Sequence, residues 1–160
     1  MLVSSFLSAL AFAATALASP VSRNSSTPAA PATKYLFTAN ILSDAPIELG
    51  ETPAGQRAFQ TISGGTFSGP ELQGKVVGGL DHGLVDADGY FDPNVVYLLQ
   101  TSDACNILVR EKGHAPNVLL LFETACDKYD WLNGVVAYGL AAQVTGGISV
   151  EVFKVGVYED

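Results

Sequence analysis

The sequence predicts an all-β fold, a single antiparallel β-barrel of about nine or ten short strands. No window shows a sustained apolar period of 3.6 residues, which an amphipathic helix would need. Short β-prone segments alternate with turn signals rich in Gly, Pro and Asp. These segments follow one another in the up-and-down order of hairpins, which favours a barrel because closure removes exposed sheet edges.

The N-terminus is typical of a secretory signal peptide. Residues 1–19 carry no charged side chain, and residues 6–18 are mainly Ala, Leu and Phe. Ala16 and Ala18 place small residues before a cleavage point after Ala18. The apolar run is shorter than the roughly 20 residues of a membrane span, so a membrane anchor is the less favoured alternative. We therefore expect a signal peptide at 1–18, a secreted protein and no membrane span.

A flexible leader is expected at 19–33, because its Pro, Ser and Ala residues show no apolar periodicity. It contains the sequon Asn24-Ser25-Ser26, a weak signal for glycosylation of Asn24. The β-barrel domain is then expected at 34–160, which is long enough for one hydrophobic core. This segment holds all 16 acidic residues, and the resulting negative surface excludes nucleic acid as a partner.

Turn signals divide the domain into strands and one helical turn. The segment 35–42 alternates loosely and ends at the turn signal Ser43-Asp44-Ala45-Pro46. Asp88-Gly89 supplies the positive φ of a hairpin turn, and Gly146-Gly147 marks the clearest hairpin. A short helical turn is expected near 127–133. The other strands are expected at 56–62, 65–69, 74–79, 95–101, 106–111, 118–124, 135–145 and 148–158.

The two cysteines, Cys105 and Cys126, fit an oxidising compartment. Paired residue numbers in an antiparallel hairpin have a constant sum. A turn centred near residue 115 therefore puts Cys105 opposite, or almost opposite, Cys126. We expect a cross-strand disulfide. The alternative, a redox pair or metal site, lacks a CxxC motif and a nearby histidine.

Two predicted strand segments, 95–99 and 118–122, are apolar on both faces. One face can fill the barrel interior, and the other needs cover from a neighbouring layer or another subunit. The pattern therefore predicts a homo-oligomer.

Candidate catalytic residues lie in the glycine-rich run 49–92. Within it, residues 64–69 superficially suggest a phosphate cradle, but they lack a following Lys and helix and are interpreted as a bend or bulge. Asp81 and His82 are the acid–base candidates, because a carboxylate raises the pKa of a neighbouring histidine and can orient it. Adjacent side chains on a strand point to opposite faces, so an exposed turn pair is the alternative. Arg57 is the candidate for stabilising developing negative charge.

Candidate ligand-binding residues lie in the second half of the chain. Arg110 and Glu123 interrupt apolar strands, where they either form a polar floor inside an apolar cavity or a cross-strand ion pair on the surface. Tyr129, Trp131 and Asn133 are further candidates, because Trp131 can cover a barrel mouth beside a hydrogen-bonding Asn133. The alternative is a plug that buries Trp131 in the core.

The order of these motifs resembles the domain of unknown function 3237 family over nearly all of residues 35–158. The resemblance implies a single-domain β-barrel with a pocket near residues 79–82, Arg57 and residues 122–133, and it brings no established reaction. At residues 102–105 the chain departs from the family pattern, which usually has an Asp-Gly turn there. The motifs that carry the resemblance are Leu49-Gly50, Pro53-Ala54-Gly55, Ile62-Ser63-Gly64-Gly65-Thr66-Phe67, Gly69-Pro70, Gly78-Gly79, Asp81-His82, Asp88-Gly89, Phe122-Glu123-Thr124 and Trp131-Leu132-Asn133.

Two classes of function follow. In the first, the protein binds an apolar or aromatic small molecule and acts as an isomerase or cyclase, with Asp81 or His82 moving a proton and Arg57 or Arg110 stabilising charge. In the second, it is a secreted ligand-binding or interaction module without chemistry. The sequence contains no nucleophile elbow, phosphate loop, zinc motif or dinucleotide fingerprint, so no cofactor and no metal are expected. Convergence of the charged side chains inside a cavity distinguishes the two classes.

Overall fold

The structure is a computed structural model that describes residues 28–156. The expected signal peptide at 1–18 and the sequon at Asn24 lie outside the described residues. Within residues 28–156, no helix is long and apolar enough to cross a membrane. A 3-10 helix spans Asp127–Gly134. The strands are β1 (Ala32–Ser43), β2 (Ile47–Thr52), β3 (Gly55–Ser68), β4 (Gln73–Asp81), β5 (Leu84–Val85), β6 (Phe91–Asp92), β7 (Asn94–Thr101), β8 (Asn106–His114), β9 (Asn117–Glu123), β10 (Val136–Val144) and β11 (Gly147–Gly156).

Eight strands form the closed wall of a barrel. Their order is β1-β11-β10-β9-β8-β7-β4-β3, and every neighbouring pair is antiparallel. The wall closes because β3 also pairs with β1, from Thr38 opposite Ser68 to Ser43 opposite Ile62. The predicted single antiparallel β-barrel is confirmed.

β3 is one long strand where the sequence analysis expected two. Residues 63 and 64, which lie between the expected strands 56–62 and 65–69, continue the strand, and Gly64 and Gly65 have φ values of +155° and +137°. A Cβ atom on Gly65 would collide with the backbone of Asn40 on β1. The strand therefore continues through both glycines, and Gly65 lets β1 approach closely where the barrel closes.

Three short strands extend the sheet beyond one end of the barrel. β2 and β5 pair with the first residues of β3, and β6 pairs with β5. We call β2, β5 and β6 the mouth extension. As expected, an Asp-Gly turn joins β5 and β6: Asp86 Oδ1 accepts two backbone N–H bonds of 2.9 Å, and Gly89 has a φ of +85°. The Ala115 N–H donates to the Phe91 carbonyl at 2.9 Å, which connects the extension to the turn between β8 and β9.

The 3-10 helix plugs the other end of the barrel, which we call the floor, and buries Tyr129 there. Cys105 and Cys126 form a disulfide beside it, with their Cα atoms 6.0 Å apart. In the β8–β9 hairpin Leu108 lies opposite Glu123, and the same register carried outward puts the two cysteines opposite each other. The expected disulfide and hairpin register are both present.

The outer face of β9 and β10 is apolar. Leu119 and Leu121 on β9 are 48 % and 43 % exposed, and they lie opposite Tyr138 and Val136 on β10. This is the face for which cover by another subunit was expected. The homo-oligomer stays a prediction, and size-exclusion chromatography with light scattering tests it.

Replacing both Cys105 and Cys126 with alanine is expected to lower the free energy of unfolding by about 3 kcal/mol. The disulfide joins residues 21 positions apart and so restricts the unfolded chain. Urea unfolding of the double variant and the wild-type protein at one pH measures the difference. An unchanged unfolding midpoint with an unchanged slope would show that the floor does not depend on the cross-link.

Candidate functional site

A cavity of about 630 Å³ opens at the mouth of the barrel, opposite the plugged floor. Small-molecule sites in proteins span roughly 300–1,000 Å³, so this volume suits a ligand of that class. Residues of β1, β3, β4, β7, β8, β10 and β11 line it, together with the mouth extension and the turn between β8 and β9. Most of the lining is apolar and includes Ile41, Ile62, Phe91, Val95, Pro116 and Val150.

Two carboxyl groups, Asp81 and Glu111, line this cavity from one row of the barrel wall. Gln60 lies opposite Asp81, Asp81 opposite Val95, and Val95 opposite Glu111. Directly paired residues point to the same face of a sheet, and all four line the cavity. Neighbouring strands are about 4.8 Å apart, so the Cα atoms of the two acids, two strands apart, are separated by roughly 10 Å. The two carboxyl groups therefore face one space from separate positions.

Glu111 is buried, with only 4 % of its surface exposed. Burial raises its pKa to about 7. The Tyr97 hydroxyl donates to Glu111 Oε2 at 3.4 Å, which lowers the pKa, and the negative charge of Asp81 raises it. Near neutral pH, Glu111 therefore exists in both protonation states, as a general acid requires.

Asp81 lies in a more polar environment than Glu111. Burial raises the pKa of Asp81, but hydrogen bonds from the backbone N–H groups of Asn94 and Gly83 lower it, and so does the nearby His82. The Asn94 bond reaches Asp81 Oδ1 at 3.3 Å. Because the charge on Asp81 contributes to the raised pKa of Glu111, Asp81 ionises first and Glu111 keeps its proton to higher pH.

Tyr97 reaches Glu111 because the neighbouring strand carries a glycine. Tyr97 on β7 lies opposite Gly79 on β4 and is 1 % exposed. A Cβ atom on Gly79 would lie only 2.6 Å from the Cβ of Tyr97. Burial, with the charge of Glu111, raises the pKa of Tyr97 well above its usual value, so its hydroxyl stays a neutral donor. Gly79 thus leaves the space that Tyr97 occupies beside Glu111.

Of the three catalytic candidates, only Asp81 lines the cavity. The Arg57 guanidinium donates through Nη1 to the backbone carbonyl of His82 at 2.7 Å. The His82 N–H in turn donates to the Asn94 carbonyl at 3.2 Å. Arg57 therefore fixes the backbone just after β4, next to Asp81, without lining the cavity itself.

Arg110 and Glu123 lie on the outside of the barrel. Arg110 Nη1 is 2.8 Å from Glu123 Oε2, and the two side chains are 52 % and 64 % exposed. Of the two alternatives for this pair, the structure has the cross-strand surface ion pair. A pair this exposed contributes little to stability.

Tyr129, Trp131 and Asn133 lie at the floor, at the opposite end from the cavity. The Tyr129 hydroxyl donates to the Asp103 carboxylate at 3.1 Å, and Trp131 packs against the core with Lys154 Nζ 4.9 Å from its ring centre. Asn133 forms two hydrogen bonds with the backbone of Thr124, at 2.8 Å and 3.0 Å. Trp131 is partly buried against the core, which is closer to the plug than to the lid. The mouth cavity includes Asp81 but no residue of 122–133, whereas Lys128 and Tyr129 line a separate pocket of about 430 Å³ at the floor.

Glu111 was missed by the sequence analysis, which selected its neighbour Arg110. Ile107, Val109 and Glu111 point inward along β8, while Arg110 points outward. Residues 107–109 are all apolar, so the two-residue period of a strand did not show which set faces the interior. Among residues 28–156, no group of three or more His, Cys, Asp and Glu side chains could hold a metal ion.

Comparison with known proteins identifies relatives along most of the chain. The sequence profile of a family described as "Protein of unknown function (DUF3237)" matches residues 31–120. The hydroalkoxylation enzyme phnH of Penicillium herquei is 40% identical over 133 residues, which are 83% of this chain and 85% of that protein.

Solved structures share the barrel. An enzyme from Penicillium herquei superposes with a TM-score of 0.75 at 36% identity, over 81% of this chain and 98% of that chain. A β-barrel-like protein from Acinetobacter baumannii AYE gives a TM-score of 0.75 at 28% identity, over 80% and 98%. A protein of unknown function from Rhodopseudomonas palustris, at 24% identity and a TM-score of 0.76 over 81% and 99%, shares the fold.

Glu111→Gln is expected to reduce the pH dependence of stability. Because the pKa of Glu111 is raised from 4.5 to about 7 in the folded protein, the folded state binds more protons between these values. The preference of Glu111 for its protonated form in the folded state stabilises the protein fully below pH 4.5. This stabilisation is lost as the pH rises through about 7, which lowers the free energy of unfolding by on the order of 3 kcal/mol. Urea unfolding across this range measures it. The surface variant Glu123→Gln should keep the wild-type dependence, and the same dependence in Glu111→Gln would contradict the assignment.

Gly79→Ala is expected to destabilise the barrel by at least about 2 kcal/mol, because the added methyl group meets the backbone and side chain of Tyr97. Gly134→Ala is the matched control, since a Cβ atom there meets nothing within 4 Å. Urea unfolding compares both variants with the wild-type protein. Equal stability of the two variants would show that Tyr97 does not need the space at Gly79.

Proposed function

The chain belongs to the protein family of unknown function DUF3237, and from that premise we propose that it binds an apolar or aromatic small molecule in the mouth cavity. The protein then closes a ring in the bound molecule by acid–base chemistry without a cofactor. Glu111 is the acid and Asp81 is the base. The charge-free, apolar N-terminus and the disulfide support action outside the cell.

The observation that carries the proposal is the pair of carboxyl groups in one row of the cavity wall. Burial raises the pKa of both groups, but backbone N–H groups oppose this effect at Asp81. The charge of Asp81 raises the pKa of Glu111 further, so Glu111 keeps its proton to about neutral pH. A protonated acid and an ionised base in one apolar cavity are the two groups that a proton-transfer reaction needs.

The relative from Penicillium herquei supports the class of reaction, because its name describes hydroalkoxylation. In a hydroalkoxylation, an O–H group adds across a carbon–carbon double bond. One alkene carbon gains a proton, the other forms the C–O bond, and the hydroxyl group loses its proton. No electrons are gained or lost overall, so an acid and a base are sufficient.

In this cavity the steps follow from the two carboxyl groups. Protonated Glu111 donates its proton to one alkene carbon of the bound substrate, and the substrate hydroxyl oxygen bonds to the other. The Asp81 carboxylate accepts the hydroxyl proton. Transfer of that proton from Asp81 to Glu111 returns both groups to their starting states. The mostly apolar lining offers few hydrogen-bond partners to water, which would otherwise compete for the electron-poor carbon.

The wild-type protein is expected to convert phenols with an ortho alkenyl chain into cyclic ethers of the same mass, detected by chromatography with mass spectrometry. Glu111→Gln should lower the rate by at least about 100-fold, the usual contribution of a general acid. Glu123→Gln, which makes the same change on the outer surface, should keep the wild-type rate.

The rate should fall as the pH rises through about 7, when Glu111 loses its proton. It should also fall at low pH, when Asp81 becomes protonated. Equal rates in Glu111→Gln and the wild-type protein would exclude Glu111 as the acid. Binding of these phenols without any conversion would leave a secreted ligand-binding module, the other function that the sequence suggests.

A further inference from the structure

The charged residues that line the cavity all have the same sign. They are Glu48, Asp81 and Glu111, and no Lys, Arg or His of the described chain lines it. Neutral polar side chains, Gln60 and Gln143 among them, complete the polar part of the lining. The cavity therefore offers hydrogen bonds to a ligand but no positive charge to an anion.

The basic side chains nearest the cavity in sequence do not point their charge into it. Arg57 donates to the carbonyl of His82, and His114 Nδ1 lies 2.5 Å from Asp92 Oδ1 in an exposed pair. His82 is close enough to lower the pKa of Asp81, but this is the weakest of the influences on that carboxyl. None of these three groups lines the cavity, so the acidic residues set the sign of the field inside it.

An anion bound in this cavity would lie beside like charges in an apolar surrounding. Both effects favour the uncharged form of a weak acid, as they do for Glu111 itself. This preference matters most for a phenol. When ring substituents activate it, its hydroxyl group loses its proton only a little above neutral pH, so the cavity decides whether the phenol or the phenolate is bound.

We propose that the cavity selects uncharged ligands and binds a phenolic substrate as the protonated phenol, with its hydroxyl group donating to the Asp81 carboxylate. This rests on the proposed function, because it concerns the substrate of the same site. It follows that the hydroxyl proton is still present when the C–O bond forms, and that Asp81 must accept it at that stage.

A chromophoric phenol tests the proposal without turnover. The probe is 7-hydroxy-4-methylcoumarin, whose phenol and phenolate forms differ in absorbance. At a pH near the pKa of the coumarin hydroxyl, binding to the wild-type protein should decrease the phenolate band. The protein should prefer the neutral form of the coumarin by at least about tenfold, which raises the pKa of the bound hydroxyl by one unit. Growth of the phenolate band on binding would overturn the proposal.

Two analogues separate charge from shape. 7-Methoxy-4-methylcoumarin cannot ionise, so its affinity should not change with pH across the range in which the hydroxycoumarin ionises. 7-Hydroxycoumarin-3-carboxylate is always anionic near neutral pH and should bind at least about tenfold more weakly than the methoxy compound. Equal binding of these two compounds, or no binding of the methoxy compound, would also overturn the proposal.

The variants locate the effect in the cavity. Asp81→Asn should reduce the preference for the neutral phenol while still binding the methoxy compound, which shows that the site is folded. Glu123→Gln should keep the full preference, because its carboxyl group lies outside the barrel. Since no product is measured, charge selection without turnover would contradict only the proposed reaction, and turnover without charge selection would contradict only this inference.

Discussion

The pairing of β3 with β1 closes the barrel, and the candidate site depends on that closure. Gln60 and Ile62 of β3 and Ile41 of β1 line the cavity from the two sides of this seam. In a flat sheet the row that contains Asp81 and Glu111 would point in one direction. In a closed wall the same row curves around a common interior, so its side chains converge. Gly65 permits the closure, because a side chain there would collide with β1.

The two ends of the barrel are built differently. At the floor, the disulfide and the 3-10 helix hold Tyr129 against the core, and the polar groups there bond to one another. At the mouth, the interior stays open and carries three carboxyl groups, those of Glu48, Asp81 and Glu111, without an ion-pair partner among the described residues. The stable closure of the floor lets the mouth keep a cavity that the rest of the barrel does not fill.

Local signals in the sequence were enough to predict the fold class, the Asp-Gly and Gly-Gly hairpins and the disulfide. Each of these features depends on neighbours along the chain or on the register of one hairpin. The inward position of Glu111 could not be read in this way, since apolar residues on both faces of β8 and β9 hide the two-residue period. The position of Trp131 could have been found. Loops of an up-and-down barrel alternate between its ends, so a loop after β9 lies opposite the turn before β9.

The chemistry of Glu111 gives the strongest reason to regard the mouth as a functional site. A glutamine at position 111 could accept the same hydrogen bond from Tyr97 without placing a titratable group in an apolar wall. The carboxyl group destabilises the folded protein once it ionises, because burial raises its pKa to about 7 and no basic residue of the described chain forms an ion pair with it. What glutamate supplies and glutamine does not is a proton that leaves near neutral pH. That property has no structural use here, and it is the property that an acid catalyst requires.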